Sequence, residues 1–290
     1  MYTNRDTRLL TIRIIKDRFK RLQRGRLRWL VALVATVQQS LKWFSPILIY
    51  VDKDGDWYNH RRDITLVSPE LNVSCWATVR AAAEDYWCHG HHVLPGETVV
   101  DVGAGIGDDA VVFSRKVGIN GRVIAIEAHP STYRCLLKTI KANKLNNVLA
   151  INIAVTDKEG HIAISEEDNF LSNSIQTGTG GRKVQSDTLD NTLQRVGVSQ
   201  VDLLKMNIEG AETAALNGMT KILHFASNVV VSCHDFKADR GEGTIFRTYE
   251  RVSEILADAQ FQLSRRIDDP RPEVRYYIYG RNCQTLGEKL

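Results

Sequence analysis

The chain has 290 residues, 43% of them hydrophobic, which suffices for one α/β domain of roughly 200–250 residues and an appendage. Its five cysteines, Cys75, Cys88, Cys135, Cys233 and Cys283, are odd in number and form no C-x-x-C pair, which argues against a disulfide framework and for a reduced, cytoplasmic protein. The net charge of +4 is concentrated at one end: Arg5, Arg8, Arg13, Lys16, Arg18, Lys20, Arg21, Arg24, Arg26 and Arg28 face only Asp6 and Asp17.

Behind the basic run comes W-L-V-A-L-V-A-T-V (Trp29–Val37), then Leu41, Trp43 and Phe44, up to a stop at Ser45-Pro46. A bilayer span needs about 20 apolar residues, so this segment is too short to cross. The long basic region and the lack of a small-residue cleavage site argue against a signal peptide. Ile12, Ile15, Phe19 and Leu22 recur at helical spacing, as do Leu30, Val34, Val37, Leu41 and Phe44, which predicts one or two amphipathic helices over residues 1–46. Residues 5–44 would suit an anionic membrane surface, each basic residue near lipid contributing about 1 kcal/mol, and would put the protein peripherally on the inner face of the membrane. The same stripe would equally suit the rest of the chain or a sister subunit in a homo-oligomer. Nucleic acid ranks below these, since no binding module or interleaved stacking aromatics accompany the charge.

Residues 47–92 predict a small β extension followed by a helix. Asp54-Gly55 between β-prone runs marks a hairpin within residues 47–67, and the Ala-rich stretch Cys75–Tyr86 is helical. Cys88, His89, His91 and His92 match no structural zinc spacing, and no metal is assigned there.

The catalytic portion is expected in residues 93–290. Thr98–Val102 is a β-branched strand that stops at a glycine turn and leads into a helix over Asp109–Val117. A dinucleotide fingerprint requires G-x-G-x-x-G, whereas Gly103, Gly105 and Gly107 give G-x-G-x-G. Asp101 and Asp108 flank the turn, where they would repel a pyrophosphate and welcome a cation. S-adenosylmethionine carries a sulfonium and an ammonium and no phosphate, so the turn points to the methyl donor. A second strand, Gly121–Ile126, ends at Glu127, 20 residues after Gly107, where a carboxylate can accept hydrogen bonds from both ribose hydroxyls.

Further elements alternate: a helix over Ser131–Leu145, a third strand over Val148–Ile153 with Asn152 and Ala154 at its end, and an added strand over His161–Ser165. Residues 166–186, rich in Ser, Asn, Thr and Gly, read as a polar lid loop, with Ser174 a candidate donor contact. Val201–Met206 ends at Asn207 and Glu209, and Val229–Cys233 ends at His234 and Asp235. A helix over Thr244–Ala259 and an antiparallel pair, Phe261–Arg265 with Val274–Tyr279, close the domain.

V-V-D-V-G-A-G-I-G (Val99–Gly107), I-A-I-E-A-H-P (Ile124–Pro130), I-N-I-A-V-T-D-K-E-G (Ile151–Gly160), D-T-L-D (Asp187–Asp190) and D-L-L-K-M-N-I-E-G-A-E (Asp202–Glu212) occur in that order. Together they resemble the FkbM family of S-adenosylmethionine-dependent methyltransferases. The resemblance implies a class I, Rossmann-like α/β fold: a mostly parallel seven-stranded sheet with helices on both faces. It implies that Ala104 and Ala128 join the donor site beside the glycines and Glu127, with the adenine near Asn152 and Ala154. It also implies O-methylation of an acceptor such as a glycan, a polyketide or another secondary metabolite; a lipid-linked acceptor would follow if residues 5–44 lie on a membrane. Asn207 departs from the Asp usual in the family.

Methyl transfer to a hydroxyl needs in-line geometry and a base. His234 suits the base, with an ordinary pKa of about 6.5. Asp235 would orient it or face the hydroxyl, and Glu209 is an alternative base or a partner for the donor's ammonium. Carboxylates ending the fourth and fifth strands can hold Mg²⁺, but Asn207 removes one, so a metal is not favoured. Two rivals are a nicotinamide-dependent oxidoreductase, for which the glycine spacing is wrong, and a non-catalytic scaffold docking through its basic helix.

Overall fold

A computed structural model describes residues 22–164 and 181–284. The chain divides into two compact units, Met1–Trp76 and Ala77–Leu290. The boundary falls inside the helix Trp76–Tyr86, not at the positions 46 and 92 drawn from composition.

In the N-terminal unit, helix α1 (Arg28–Trp43) precedes strands β1 (Leu48–Val51), β2 (Trp57–His60) and β3 (Thr65–Ser68). The strands form an antiparallel sheet in that order, so the hairpin is extended by a third strand. Asp52 Oδ1 shapes the hairpin turn by accepting from the amides of Asp54 and Asp56. Helix α1 docks on the open edge of β1 in an unusual way. Thr36 Oγ1 accepts from Ile49 N at 2.9 Å and donates to Ile49 O, and Ser40 Oγ does the same for Ile47. Two hydroxyls thereby satisfy edge groups that a neighbouring strand would otherwise pair. Ala32 and Ala35 pack beside them against Ile47, Ile49 and Trp57.

The second unit begins with α2 (Trp76–Tyr86) and then alternates β4 (Thr98–Val102), α3 (Asp108–Val117), β5 (Arg122–Ile126), α4 (Pro130–Asn143) and β6 (Val148–Ile151). Short strands β7 (Ala154–Val155), β8 (Gly160–Ile164) and β9 (Arg182–Asp187) form a separate three-stranded sheet. Helix α5 (Leu189–Arg195), β10 (Val201–Met206), α6 (Glu212–Asn217), α7 (Ile222–Phe225), β11 (Ala226–Ser232), α8 (Asp235–Asp239), α9 (Tyr249–Asp258), β12 (Phe261–Ser264) and β13 (Tyr277–Asn282) complete it.

The main sheet runs β12-β13-β11-β10-β4-β5-β6, and within it only β13 is antiparallel to its neighbours. This is the class I methyltransferase architecture. Alternate residues of each strand face opposite ways. Val100, Val102, Ile124, Ile126, Leu204 and Met206 join Leu189, Leu193, Leu216, Val252 and Leu256 in one core, which brings α5, α6 and α9 onto one face. Ala125 on the other face packs with Ala110 and Leu136 of α3 and α4. The strand order reverses between β4 and β10, the position at which open α/β sheets bind ligands.

Two expectations about elements are corrected. The polar stretch 166–186 ends in strand β9, whose pairing with β7 and β8 gives residues 182–186 a ladder despite their polarity; residues 165–180 lie outside the described part. The helix expected over Thr244–Ala259 is broken at Arg247 and Thr248, a short 3₁₀ turn Thr244–Phe246 preceding α9.

Candidate active site

A cleft opens where β4, β5 and β10 end. Gly103, Gly105, Glu127, Ala128, Ala154, Asn207 and Glu209 line it, with Ile126, Ile153, Ile162 and Ile208 among its apolar walls. The space between these residues, counted out into open solvent, is about 790 Å³.

The three glycines of the turn do different work. A Cβ on Gly103 would stand 2.0 Å from the carbonyl oxygen of Asn207, so the backbones leaving β4 and β10 touch there. A Cβ on Gly107 would stand 2.6 Å from Leu136 Cδ1, so this glycine lets α3 and α4 pack and does not line the cleft. Gly105 meets nothing within 4 Å and is the position open to a ligand. Ala104 is buried against Ala110, Ala125 and Leu136.

Glu127 stands opposite Gly105. Its Oε2 accepts from Gly105 N and its Oε1 from His129 N, both at 2.9 Å. Burial nevertheless pushes its carboxyl up to about 7. Asn152 does not line the cleft: its Nδ2 donates to the carbonyls of Glu127 and Ala128 at 2.7 and 3.0 Å and braces the turn that presents Glu127.

Asp101 corrects the electrostatic reading of the turn. It is fully buried, and the cation it meets belongs to the protein: Lys205 Nζ lies 2.7 Å from Asp101 Oδ1. The strand register causes this, since Lys205 of β10 is the direct neighbour of Asp101 on β4. The Asp101 oxygens accept no regular hydrogen bond besides this charge pairing. Lys205 also donates to Gly103 O at 2.9 Å and lies 4.8 Å from the centre of the Trp87 ring. Burial alone would lower the ammonium, but Asp101 and Asp109 outweigh it and hold it above its ordinary range. Asp108 begins α3 away from the cleft lining, and burial raises its carboxyl. In the sequence, the only signal of Lys205 as a buried counter-charge is its place inside the apolar run V-D-L-L-K-M.

The C-terminal ends of β10 and β11 converge as expected, with a different division of labour. His234 is 4% exposed, and its Nδ1 lies 2.8 Å from Glu212 Oε1. Its Nε2 faces Glu209 Oε1 at 3.5 Å. Glu209, at φ +52, lines the cleft and pairs with Lys237. Asp235 does not touch the imidazole in the role expected of it: its Oδ2 accepts from Thr248 N and Tyr249 N at 3.1 and 3.0 Å and so caps α9. The orienting carboxylate is Glu212, itself fixed by Gly210 N and Thr248 Oγ1. Burial would lower the His234 imidazole, but the Glu212 hydrogen bond and charge prevail and raise it. Burial in turn would raise Glu212, and His234 holds it down. Glu212 was legible only as the last letter of the D-L-L-K-M-N-I-E-G-A-E run.

Ser174 lies outside the described residues. The Cys88–His92 segment is dispersed: Cys88 is buried, the His89 ring sits 5.0 Å from that of Tyr279, and His91 bonds Glu97 at 2.9 Å.

A sulfonium-bearing donor fits these residues. Glu127 and Glu209 place two carboxylates on the cleft wall, Gly105 leaves the space beside its Cα open, and Asn207 Oδ1 is buried without a hydrogen-bond partner, an acceptor left over by the fold.

Several known proteins are similar to this chain. The protein-L-isoaspartate O-methyltransferase of Caenorhabditis elegans is 27% identical over 128 residues, which span 43% of this chain and 55% of that enzyme. The hexuronic acid methyltransferase AglP of Haloferax volcanii is 24% identical over 173 residues, 58% of this chain and 70% of that protein. Fibrillarin from Aeropyrum pernix, solved with S-adenosyl-L-methionine, superposes with a TM-score of 0.45 at 13% identity, over 81% of this chain and 99% of that one. The model of the methyltransferase FkbM domain matches residues 101–263, more than half of the chain, and the chain belongs to that methyltransferase family.

Proposed function

We propose that the protein is an O-methyltransferase that moves the methyl of S-adenosylmethionine to a hydroxyl of a sugar-containing acceptor, with His234 as the base that finally holds the proton. The observation that carries this reading is the chain of contacts from the cleft wall inward, Glu209 to His234 at 3.5 Å and His234 to Glu212 at 2.8 Å. The name of the archaeal relative, a hexuronic acid methyltransferase, supports a carbohydrate acceptor over the other classes the family resemblance implies.

When bound, the donor supplies an electrophilic methyl on a sulfonium. Glu127 would accept hydrogen bonds from its ribose hydroxyls, and Asn207 Oδ1 would receive a donor N–H. Glu209, the carboxylate on the wall, accepts the hydrogen bond of the acceptor hydroxyl. With the donor bound, Glu209 would take the hydroxyl proton and pass it to His234 Nε2, while the donor would supply the methyl and its sulfur would keep the bonding electron pair. Glu212 keeps the proton of Nδ1 directed at itself, so Nε2 is the nitrogen free to receive another. The reactants need no redox partner.

Calorimetric titration with S-adenosylhomocysteine tests the donor half. Binding in the micromolar range is expected, weakened about tenfold or more in Glu127→Ala. Methyl transfer to uronic-acid oligosaccharides tests the acceptor half. His234→Ala should bind the homocysteine analogue normally and lose about 10²–10⁴-fold in kcat, the usual contribution of a general base. Full turnover in that variant would remove His234 from the mechanism.

A further inference from the structure

Helix α1 is built inside out. The face it turns to its own sheet is small and polar, Ala32, Ala35, Thr36, Gln39 and Ser40, and the hydroxyls and amide there are tied to β1 and to Arg61. The large apolar side chains point away. Leu30, Val34, Val37 and Leu41 are exposed, the last by 68%, and Phe44 at the helix end is 97% exposed. These residues follow one another at intervals of four and three, which keeps them in one stripe along the helix. A soluble helix buries such a stripe, so this one is made for a partner.

Charge identifies the partner. From Arg18 to Val51 the chain carries Arg18, Lys20, Arg21, Arg24, Arg26, Arg28 and Lys42 and not one Asp or Glu. Arg24 is engaged with Glu70 at 3.1 Å. Trp29 and Trp43 flank the stripe, both exposed, with Lys42 Nζ 5.5 Å from the centre of the Trp43 ring. Indoles with an apolar body and a polar edge, next to cations, suit the headgroup level of a bilayer. Pairing the stripe with a second copy would bring two carboxylate-free cationic segments together, whereas an anionic surface neutralises them. Among the described residues no helix is long and apolar enough to cross a membrane.

We propose that the outward face of α1 lies in the headgroup region of an anionic membrane and holds the enzyme on that surface without spanning it. The contact does not depend on the assignment of the catalytic residues.

The test is flotation of the full-length protein with vesicles of phosphatidylcholine, with and without phosphatidylglycerol. The comparison variant is Val34→Asp/Val37→Asp/Leu41→Asp, three exposed positions that are not among the residues lining the cleft. The wild type is expected to float with the anionic vesicles and to do so roughly tenfold less with neutral ones, at high salt, or as the triple variant. Unchanged circular dichroism and unchanged affinity for S-adenosylhomocysteine would show that the variant is folded. Wild type that fails to float with anionic vesicles overturns the proposal, as does a folded triple variant that floats as well as wild type. A wild-type dimer in light scattering that the triple variant converts to monomer would also overturn it, assigning the stripe to a second copy.

Discussion

At the scale of single residues, the His234–Glu212 pair is buried beyond the ends of β11 and β10. His234 is raised above its ordinary value, so it is largely protonated at mildly acidic pH, and kcat should climb as pH rises through a value above about 6.5. Glu212→Gln removes the main group that holds the ring up, leaving only Glu209 to oppose burial. That variant should keep its affinity for S-adenosylhomocysteine, lose about 10²-fold in kcat, and show its rising limb at lower pH, whereas a merely structural glutamate would leave the limb where it is. Asp109 offers a stability test. Burial, and after it Asp108, holds its carboxyl up to about 8. Unfolded it titrates near 4, so between about 4 and 8 the folded state binds the extra proton, and this group's contribution to stability falls as pH rises. Asp109→Asn should flatten that decline in urea melts taken at pH 5 and pH 8.

Elements act through their registers and crossings. Because β4 and β10 pair with Asp101 opposite Lys205, removing the lysine strands a buried carboxylate. Lys205→Met should cost about 3–5 kcal/mol in denaturant unfolding, and adding Asp101→Asn should recover most of it. The α3–α4 crossing depends on Gly107, where φ is +87 and Leu136 leaves no room for a methyl group. Gly107→Ala is expected to destabilise by roughly 1–3 kcal/mol through strain and overpacking. In the N-terminal unit, the Thr36 and Ser40 hydroxyls of α1 close the edge of β1, which is why its apolar stripe is left facing outward.

For the whole molecule, the units Met1–Trp76 and Ala77–Leu290 each have a core, Ala32, Ile49 and Trp57 in the first and the sheet's two faces in the second. The donor cleft belongs wholly to the second. A ligand that binds only the folded state at 100 times its Kd adds about 2.7 kcal/mol. Saturating S-adenosylhomocysteine should therefore raise the calorimetric transition of the second unit by roughly 5–10 °C. The transition of the first unit should stay in place, and Glu127→Ala should abolish the shift.

The sequence by itself determined the elements whose signals are local. Thr98–Val102 and Val201–Met206 are strands with the limits read from their apolar runs, and the glycine turn, Glu127 and the ordered family motifs led to the class I methyltransferase fold. Those signals survive because periodicity, turn chemistry and spacing along the chain are properties of a few neighbouring residues. Only the tertiary structure decided who pairs with whom. Asp101 looked like a ligand for the donor until the β4–β10 register put Lys205 beside it. Asp235 looked like the partner of its neighbour His234, yet consecutive residues leave a strand end in different directions, and the partner is Glu212, 22 residues away. Gly105 and Gly107 look alike in the motif, and one faces open space while the other faces Leu136. The outward stripe of α1 has the same origin: the pattern alone shows an apolar face, but the exposed edge of β1 selected the opposite face for docking, because unpaired backbone groups are costlier to leave than exposed leucines.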